Sequence, residues 1–310
     1  MASIATEEGR LALPDGLKLY TKTWKASGPL KARVVFLHGF SDHCDWYPEL
    51  FPALASKGIK VYSFDQRGWG RSVHEIKQRG DTGGTAQVND DITSFIQSLP
   101  KDEQDAPLFL MGHSMGGGET MAYAATGPKD VVSNIRGFLL ESPLIALADK
   151  LKPWKATVVL GNLARKIAPR ATMVRKLPPE TMSRNPAVCE KWSKDELNHD
   201  TATLDTLAAI TQRSTDLEEG NIVIRDDLGE GGKTRLWVGH GTADGACSFD
   251  ATKKWYEGLK LEDKEFRIYE GWYHKLHSEP GEDQVTFAND VVKWILDRCG
   301  PLDSTPKSKL

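Results

Sequence analysis

The chain contains no run of eighteen apolar residues, so the sequence offers no membrane-spanning helix. It contains no Asn-x-Ser/Thr triplet, and its first eight residues, from Met1 to Glu8, show no basic stretch followed by an apolar one. No secretory signal is expected on that pattern. Cysteine is scarce. Cys44, Cys189, Cys247 and Cys299 are the four in 310 residues, and they lack metal-ligand spacing. They are expected to be free thiols in a reducing compartment. Charge of one sign is also lacking. Forty basic residues against 43 acidic ones give a net charge of −3, which supplies no case for nucleic-acid binding. There is no internal repeat. Gly232-Lys233-Thr234 resembles the end of a phosphate loop, but position 227 is Asp227 where glycine is needed, and Thr234 opens a strand rather than a helix. Nucleotide binding is rejected. What remains is an ordinary composition, 39% hydrophobic and 27% charged, at a length that suits one α/β fold with an insertion.

The most informative stretch is Gly112-His113-Ser114-Met115-Gly116. It follows the apolar run Pro107-Leu108-Phe109-Leu110-Met111 and precedes a helical segment, so Ser114 falls at the apex of a strand-to-helix turn. The flanking glycines fit a turn in which a side chain would collide with the neighbouring strand or helix. A nucleophilic serine needs a base, and the base needs an orienting acid. Asp244 follows the strand-like run Arg235-Leu236-Trp237-Val238, and His274 follows the strand-like Glu265-Phe266-Arg267-Ile268-Tyr269. Three such residues, each past its own strand end, can converge above a parallel sheet. Their order, Ser then Asp then His, is that of the α/β-hydrolase fold. In that fold the oxyanion donors are two main-chain N–H groups, one after the nucleophile and one in the loop after the third strand. These are Met115 and, after Val34-Val35-Phe36-Leu37-His38-Gly39, Phe40.

The predicted architecture is a mostly parallel central sheet flanked by helices, with a helical cap inserted. Patterning predicts a hairpin over 9–24, strands at 33–37, 60–64, 108–111, 136–140, 234–238 and 266–269, and helices near 46–56, 86–98, 115–125, 248–259 and 282–298. Residues 1–141 and 233–300 form the core, 142–232 the cap, and 301–310 a flexible tail. In the cap, Val159, Leu163 and Ile167 share one helical face. That face is expected to pack on the body, with contact to a lipid surface as the alternative. The chain ends Ser308-Lys309-Leu310, a peroxisomal import address read by a receptor. Peroxisomal localisation is therefore expected, with cytoplasm or a lipid-droplet or membrane surface as alternatives.

The chain resembles the monoacylglycerol lipases of the α/β-hydrolase fold, fungal members in particular. The resemblance rests on Phe36-Leu37-His38-Gly39, Asp65-Gln66-Arg67-Gly68-Trp69-Gly70-Arg71-Ser72, the Ser114 motif, Glu141-Ser142-Pro143-Leu144, Met182-Ser183-Arg184-Asn185, His240-Gly241-Thr242-Ala243-Asp244 and Tyr273-His274-Lys275-Leu276-His277. It implies hydrolysis of a monoacylglycerol ester through an acyl-serine intermediate, with no metal or organic cofactor. It implies further that Asp42 and His277 lie near the alcohol, and that Trp192 stands where a cap tyrosine can occur near the polar end. Cys247, three residues past Asp244, either borders the pocket and makes activity thiol-sensitive or is a small buried residue. A serine esterase or thioesterase acting on another acyl substrate of a peroxisomal pathway is the second reading. A non-catalytic binding module is the third, and the complete set of reactive residues argues against it.

Overall fold

The protein is described by a computed structural model covering residues 4–302. Eight strands form one sheet: β1 (Thr6–Ala12), β2 (Lys18–Trp24), β3 (Ala32–Leu37), β4 (Ile59–Phe64), β5 (Leu108–His113), β6 (Ile135–Glu141), β9 (Arg235–Gly241) and β10 (Asp263–Tyr269), in the order β1-β2-β4-β3-β5-β6-β9-β10. β1 and β2 pair antiparallel, as do β2 and β4, and the remaining pairs are parallel. The central strands β3, β5 and β6 are buried along their whole length, which is why they read as continuous apolar runs rather than alternating ones.

Alternate side chains of these strands serve two cores. Val34, Phe36, Phe109 and Met111 pack with Phe51 and Leu54 of α1 (Leu50–Ser56) and with Phe287, Val291 and Ile295 of α9 (Glu282–Leu296). Val35, Leu37, Leu108 and Leu110 face the opposite way, toward Ile92 and Phe95 of α2 (Thr85–Gln97), Met121 of α3 (Met115–Thr126) and Trp255 of α8 (Phe249–Gly258). The short α4 (Lys129–Val132) leads into β6. From β3 the chain steps outward to β4, then returns across β3 to β5. The carboxyl ends of β3 and β5 therefore flank the point where strand order reverses, the usual crevice for ligands in open α/β sheets.

The expected helix over 46–56 is interrupted. A 3-10 turn, Cys44–Trp46, ends at Tyr47 with φ −121° and ψ 49°, and α1 begins only at Leu50. Pro48 explains this, because its ring disfavours helical geometry in the residue before it. Between β6 and β9 lie α5 (Lys155–Ile167), α6 (Pro186–Lys194) and α7 (Leu204–Glu218), with a two-stranded antiparallel ribbon of β7 (Thr172–Val174) and β8 (Thr201–Thr203). The ribbon corrects the purely helical expectation for this segment. A second correction concerns α5. Val159, Leu163 and Ile167 do not pack on the body but are 59%, 54% and 89% exposed. Amphipathic spacing identifies an apolar face without saying what covers it.

Candidate active site

Ser114 sits at the junction of β5 and α3 with φ 56° and ψ −117°, a conformation that non-glycine residues rarely adopt. Its backbone is fixed on both sides. The N–H donates to Glu141 O at 2.9 Å, and the carbonyl accepts from Gly118 N at 3.1 Å and Leu144 N at 2.9 Å. The flanking glycines are required by contact. A Cβ on Gly112 would strike the Gly116 carbonyl, and a Cβ on Gly116 would strike the Leu37 carbonyl at the end of β3. The loop after β3 passes directly beside the nucleophile position, since a Cβ on Gly39 would lie 3.1 Å from Ser114 Cβ.

His274 bridges the other two residues. Its Nε2 lies 2.9 Å from Ser114 Oγ and its Nδ1 lies 2.8 Å from Asp244 Oδ2. The second oxygen of Asp244 accepts from the backbone N–H groups of Ala246 (2.7 Å) and Cys247 (2.9 Å). His240 Nε2 adds a further contact to Oδ2 at 3.0 Å. Burial by itself would raise the Asp244 carboxyl. The neighbouring His274 and the hydrogen bonds from His240 and His274 outweigh it and hold this group well below the usual carboxylate range. An Asp244 that stays ionised favours Nδ1–H on His274, leaving Nε2 free to accept the Ser114 proton. His240 was not anticipated. It lies at the end of β9 and reaches Asp244 across the turn that follows the strand, a spacing that carries no meaning until that turn is folded.

Met115 follows Ser114 directly, and Phe40 follows Gly39, whose position lies against Ser114. Met115 opens α3, where an N–H has no carbonyl within the helix to bond. Phe40 N–H donates to no group among the described residues. Neither backbone N–H thus has a hydrogen-bond partner among the described residues. Phe40 packs edge-on against Trp69, with ring centroids 4.8 Å apart. Trp69, Met115 and Ala202 form a small buried apolar cluster joined by Phe40, Leu207 and Ile210, so body and cap pack together next to Ser114.

Asp42 and His277, expected near the alcohol, are both buried among polar groups beside the Ser114 site. Asp42 is buried, its Oδ2 accepting from Lys275 Nζ at 2.6 Å and Tyr47 OH at 3.2 Å, and its Oδ1 from His43 N at 3.0 Å. Although burial opposes ionisation, Lys275, His38 and His43 hold its carboxyl below the usual range. The Asp42 carboxylate thus accepts three hydrogen bonds from protein groups. His277 is equally buried, with Nδ1 2.6 Å from Glu141 Oε1 and its ring against Tyr47 at 4.4 Å. Between these two lies His113, whose Nδ1 is 3.2 Å from Tyr47 OH and whose ring is 4.8 Å from that of His274. Burial, reinforced by His274, Lys275 and His277, drives the His113 pKa well below its ordinary value, so it is neutral. Trp192, on α6, is also buried, and it borders a cap cavity of about 370 Å³ that it shares with Leu177, Pro178 and Asp200. None of the residues lining that cavity belongs to the Ser114 site.

Cys247 places its Sγ 3.9 Å from Ser114 Oγ, and burial pushes its thiol far above the ordinary value. Among the described residues one cluster offers metal-donor atoms, Asp244, Cys247 and His274, within 4.8 Å of one another. The Asp244 and His274 atoms are already bonded to each other, His274 is bonded to Ser114, and burial raises the thiol well above its ordinary value.

The family described as serine aminopeptidase, S33, matches residues 28–281 of this sequence. The chain belongs to that family. Among its relatives within the α/β-hydrolases, the Schizosaccharomyces pombe protein named "Putative monoglyceride lipase" is 31% identical over 92% of this chain and 73% of its own length. The Mus musculus monoglyceride lipase is 28% identical over 92% of this chain and 88% of its own. A soluble variant of the Saccharomyces cerevisiae monoglyceride lipase, solved with a substrate analog, superposes with a TM-score of 0.84 at 22% identity, covering 97% of this chain and 98% of that one, and establishes the shared fold. The resemblance to monoacylglycerol lipases read from the motifs is thus carried by the whole hydrolase domain.

Proposed function

We propose that this chain hydrolyses the ester bond of monoacylglycerols through an acyl-Ser114 intermediate. The observation that carries the reading is the position of His274, hydrogen-bonded to Ser114 at 2.9 Å and to Asp244 at 2.8 Å. Ser114 Oγ attacks the ester carbonyl carbon while His274 Nε2 takes its proton. Asp244 stabilises the imidazolium that forms. The Phe40 and Met115 N–H groups hold the oxyanion. Collapse breaks the bond to glycerol, whose oxygen receives the proton from His274. Water then attacks the acyl carbon, gives its proton to His274, and releases the fatty acid and Ser114. The apolar cluster of Phe40, Trp69, Met115, Ala202, Leu207 and Ile210 suits an acyl chain, and the monoglyceride lipase relatives support the substrate class. The test is hydrolysis of a panel of monoacylglycerols, lysophospholipids and acyl-CoA by purified protein. Preferred release of glycerol supports the reading, and preference for acyl-CoA overturns it in favour of a thioesterase.

The cap reads as a lipid-facing element. Trp154, Val159, Leu160, Leu163 and Ile167 are all more than half exposed, and Met173 and Val174 of β7 extend the apolar area. From Lys150 to Lys176 the sequence has eight basic residues and no acidic one. Apolar residues on one face with Lys and Arg around them are the composition of helices that lie at anionic membrane surfaces. The peroxisomal reading rests on Ser308-Lys309-Leu310, which lies outside the described residues. Deleting Leu310 from a tagged chain should release it from peroxisomes, and retention there would refute the address.

A further inference from the structure

We propose that the buried ion pair between Asp42 and Lys275 is a positioning device, clamping the loop that carries the Phe40 oxyanion donor to the loop that carries His274. The inference rests on the catalytic reading of Ser114 and His274 given above. Asp42 lies two residues after Phe40, and Lys275 directly follows His274, so a contact across 233 residues of sequence joins the two halves of the machinery. The Nζ–Oδ2 distance is 2.6 Å, and the two side chains are 1% and 2% exposed. The clamp is held from all sides. Lys275 N donates to Met182 O of the cap at 2.7 Å, its Nζ lies over the Trp46 and Tyr47 rings at 5.3 and 5.8 Å, and Asp42 Oδ1 is capped by His43 N. From Asp42 the contacts continue through Tyr47 OH to His113, whose ring lies against His274.

Stability does not account for such a pair. A fully buried ion pair is often no better than an apolar pair of the same volume, because desolvation offsets the Coulomb attraction. What the pair provides is a short, directional link that a Met or Leu at position 275 could not make. The same link commits the Asp42 carboxylate to Lys275, so the pair acts on the geometry of the reaction rather than on the alcohol of the substrate.

The test uses Asp42→Asn, Lys275→Met and the double variant, assayed on a monoacylglycerol and on a p-nitrophenyl acyl ester that has no glycerol. Each single variant should lower kcat on both esters by the same factor, about 10- to 100-fold for loops displaced by an ångström or less, with KM little changed. Each leaves one buried charge unpaired, so each should also melt earlier. The double variant leaves no charge at positions 42 and 275 and should regain Tm while kcat stays low on both esters. Full recovery of kcat in the double variant would reduce the pair to a structural one. A loss in Asp42→Asn confined to the monoacylglycerol and expressed in KM would return Asp42 to the alcohol site. Fluorophosphonate labelling of the native chain separates this from failure of the serine-hydrolase reading. Should the wild type label at Ser114 while the clamp variants keep native kcat, only the clamp is wrong.

Discussion

Replacing Leu160 and Ile167 by serine should detach the protein from anionic vesicles without touching its chemistry. The two residues are seven apart on α5, two turns along one face, and are 65% and 89% exposed. Full burial of such a side chain contributes about 1.5–3 kcal/mol, so losing the exposed fractions of both removes about 2–4 kcal/mol of partitioning. At about 1.4 kcal/mol per decade, vesicle binding should weaken roughly 30- to 1,000-fold. The assay is co-sedimentation with vesicles containing phosphatidylserine, beside kcat/KM on a water-soluble ester. Neither side chain contributes to the buried cores or to the cluster at Ser114, so the soluble-ester rate should be that of the wild type. Raising the salt concentration should weaken the wild type as well, since the surrounding Lys and Arg act through a screened field. Unaltered vesicle binding in the double variant would refute the interfacial assignment. Parallel loss of soluble-ester activity would show that the stripe supports the site instead.

Three further outcomes follow from the geometry. Gly116→Ala forces a Cβ into the Leu37 carbonyl, and overpacking of this kind costs about 1–3 kcal/mol; Tm should fall in calorimetry and turnover should fall more than the temperature shift explains, because the displaced elements carry Ser114 and the oxyanion loop. Asp244→Asn keeps the shape of the site but removes the charge that fixes the His274 tautomer, so kcat should drop by about four orders of magnitude while a fluorophosphonate still reaches the pocket slowly; retention of even a tenth of the rate would contradict the relay. Stability should decline on acidification. His38 and His113, lowered by burial, Asp42, lowered by Lys275 and its histidine neighbours against burial, and Asp244, lowered by its contacts with His274 and His240 against burial, contribute stability that is complete above their unfolded values near 6.5 and 4 and is lost as pH falls below them. Glu119, pushed up to about 7 by burial despite Arg213, and Asp200 and Glu279, also raised by burial, act in the opposite sense, while Asp45, Asp195, Glu103 and His199, all lowered, add to the first set and outnumber them. A Tm that rises between about pH 7 and pH 4 would overturn this balance.

The strands that build the site were readable because parallel strands buried on both faces show as unbroken apolar runs, as in Val34-Val35-Phe36-Leu37 and Leu108-Phe109-Leu110-Met111. Ser114 was readable because its turn needs glycine on both sides, and Asp244 and His274 because loops past strand ends are where such residues gather. The polar interior was not. Lys275 reads as a solvated lysine until folding brings Asp42 to it from 233 positions away, and His240 reads as a loop residue until the turn folds it onto Asp244. No local periodicity encodes such long-range satisfaction of buried charge. The α5 face failed for another reason, since a four-residue apolar spacing is the same for a helix facing a core and for one whose apolar face is left exposed. The three-residue strands β7 and β8 are too short to leave a pattern.

The most direct test of the central claim is mass spectrometry of the protein after reaction with a fluorophosphonate, read together with glycerol release from a monoacylglycerol. The account predicts one adduct, located on Ser114, with hydrolysis lost in proportion to labelling and no adduct formed in His274→Ala. Full hydrolysis by a completely labelled protein, or glycerol release by Ser114→Ala at the native rate, would contradict it.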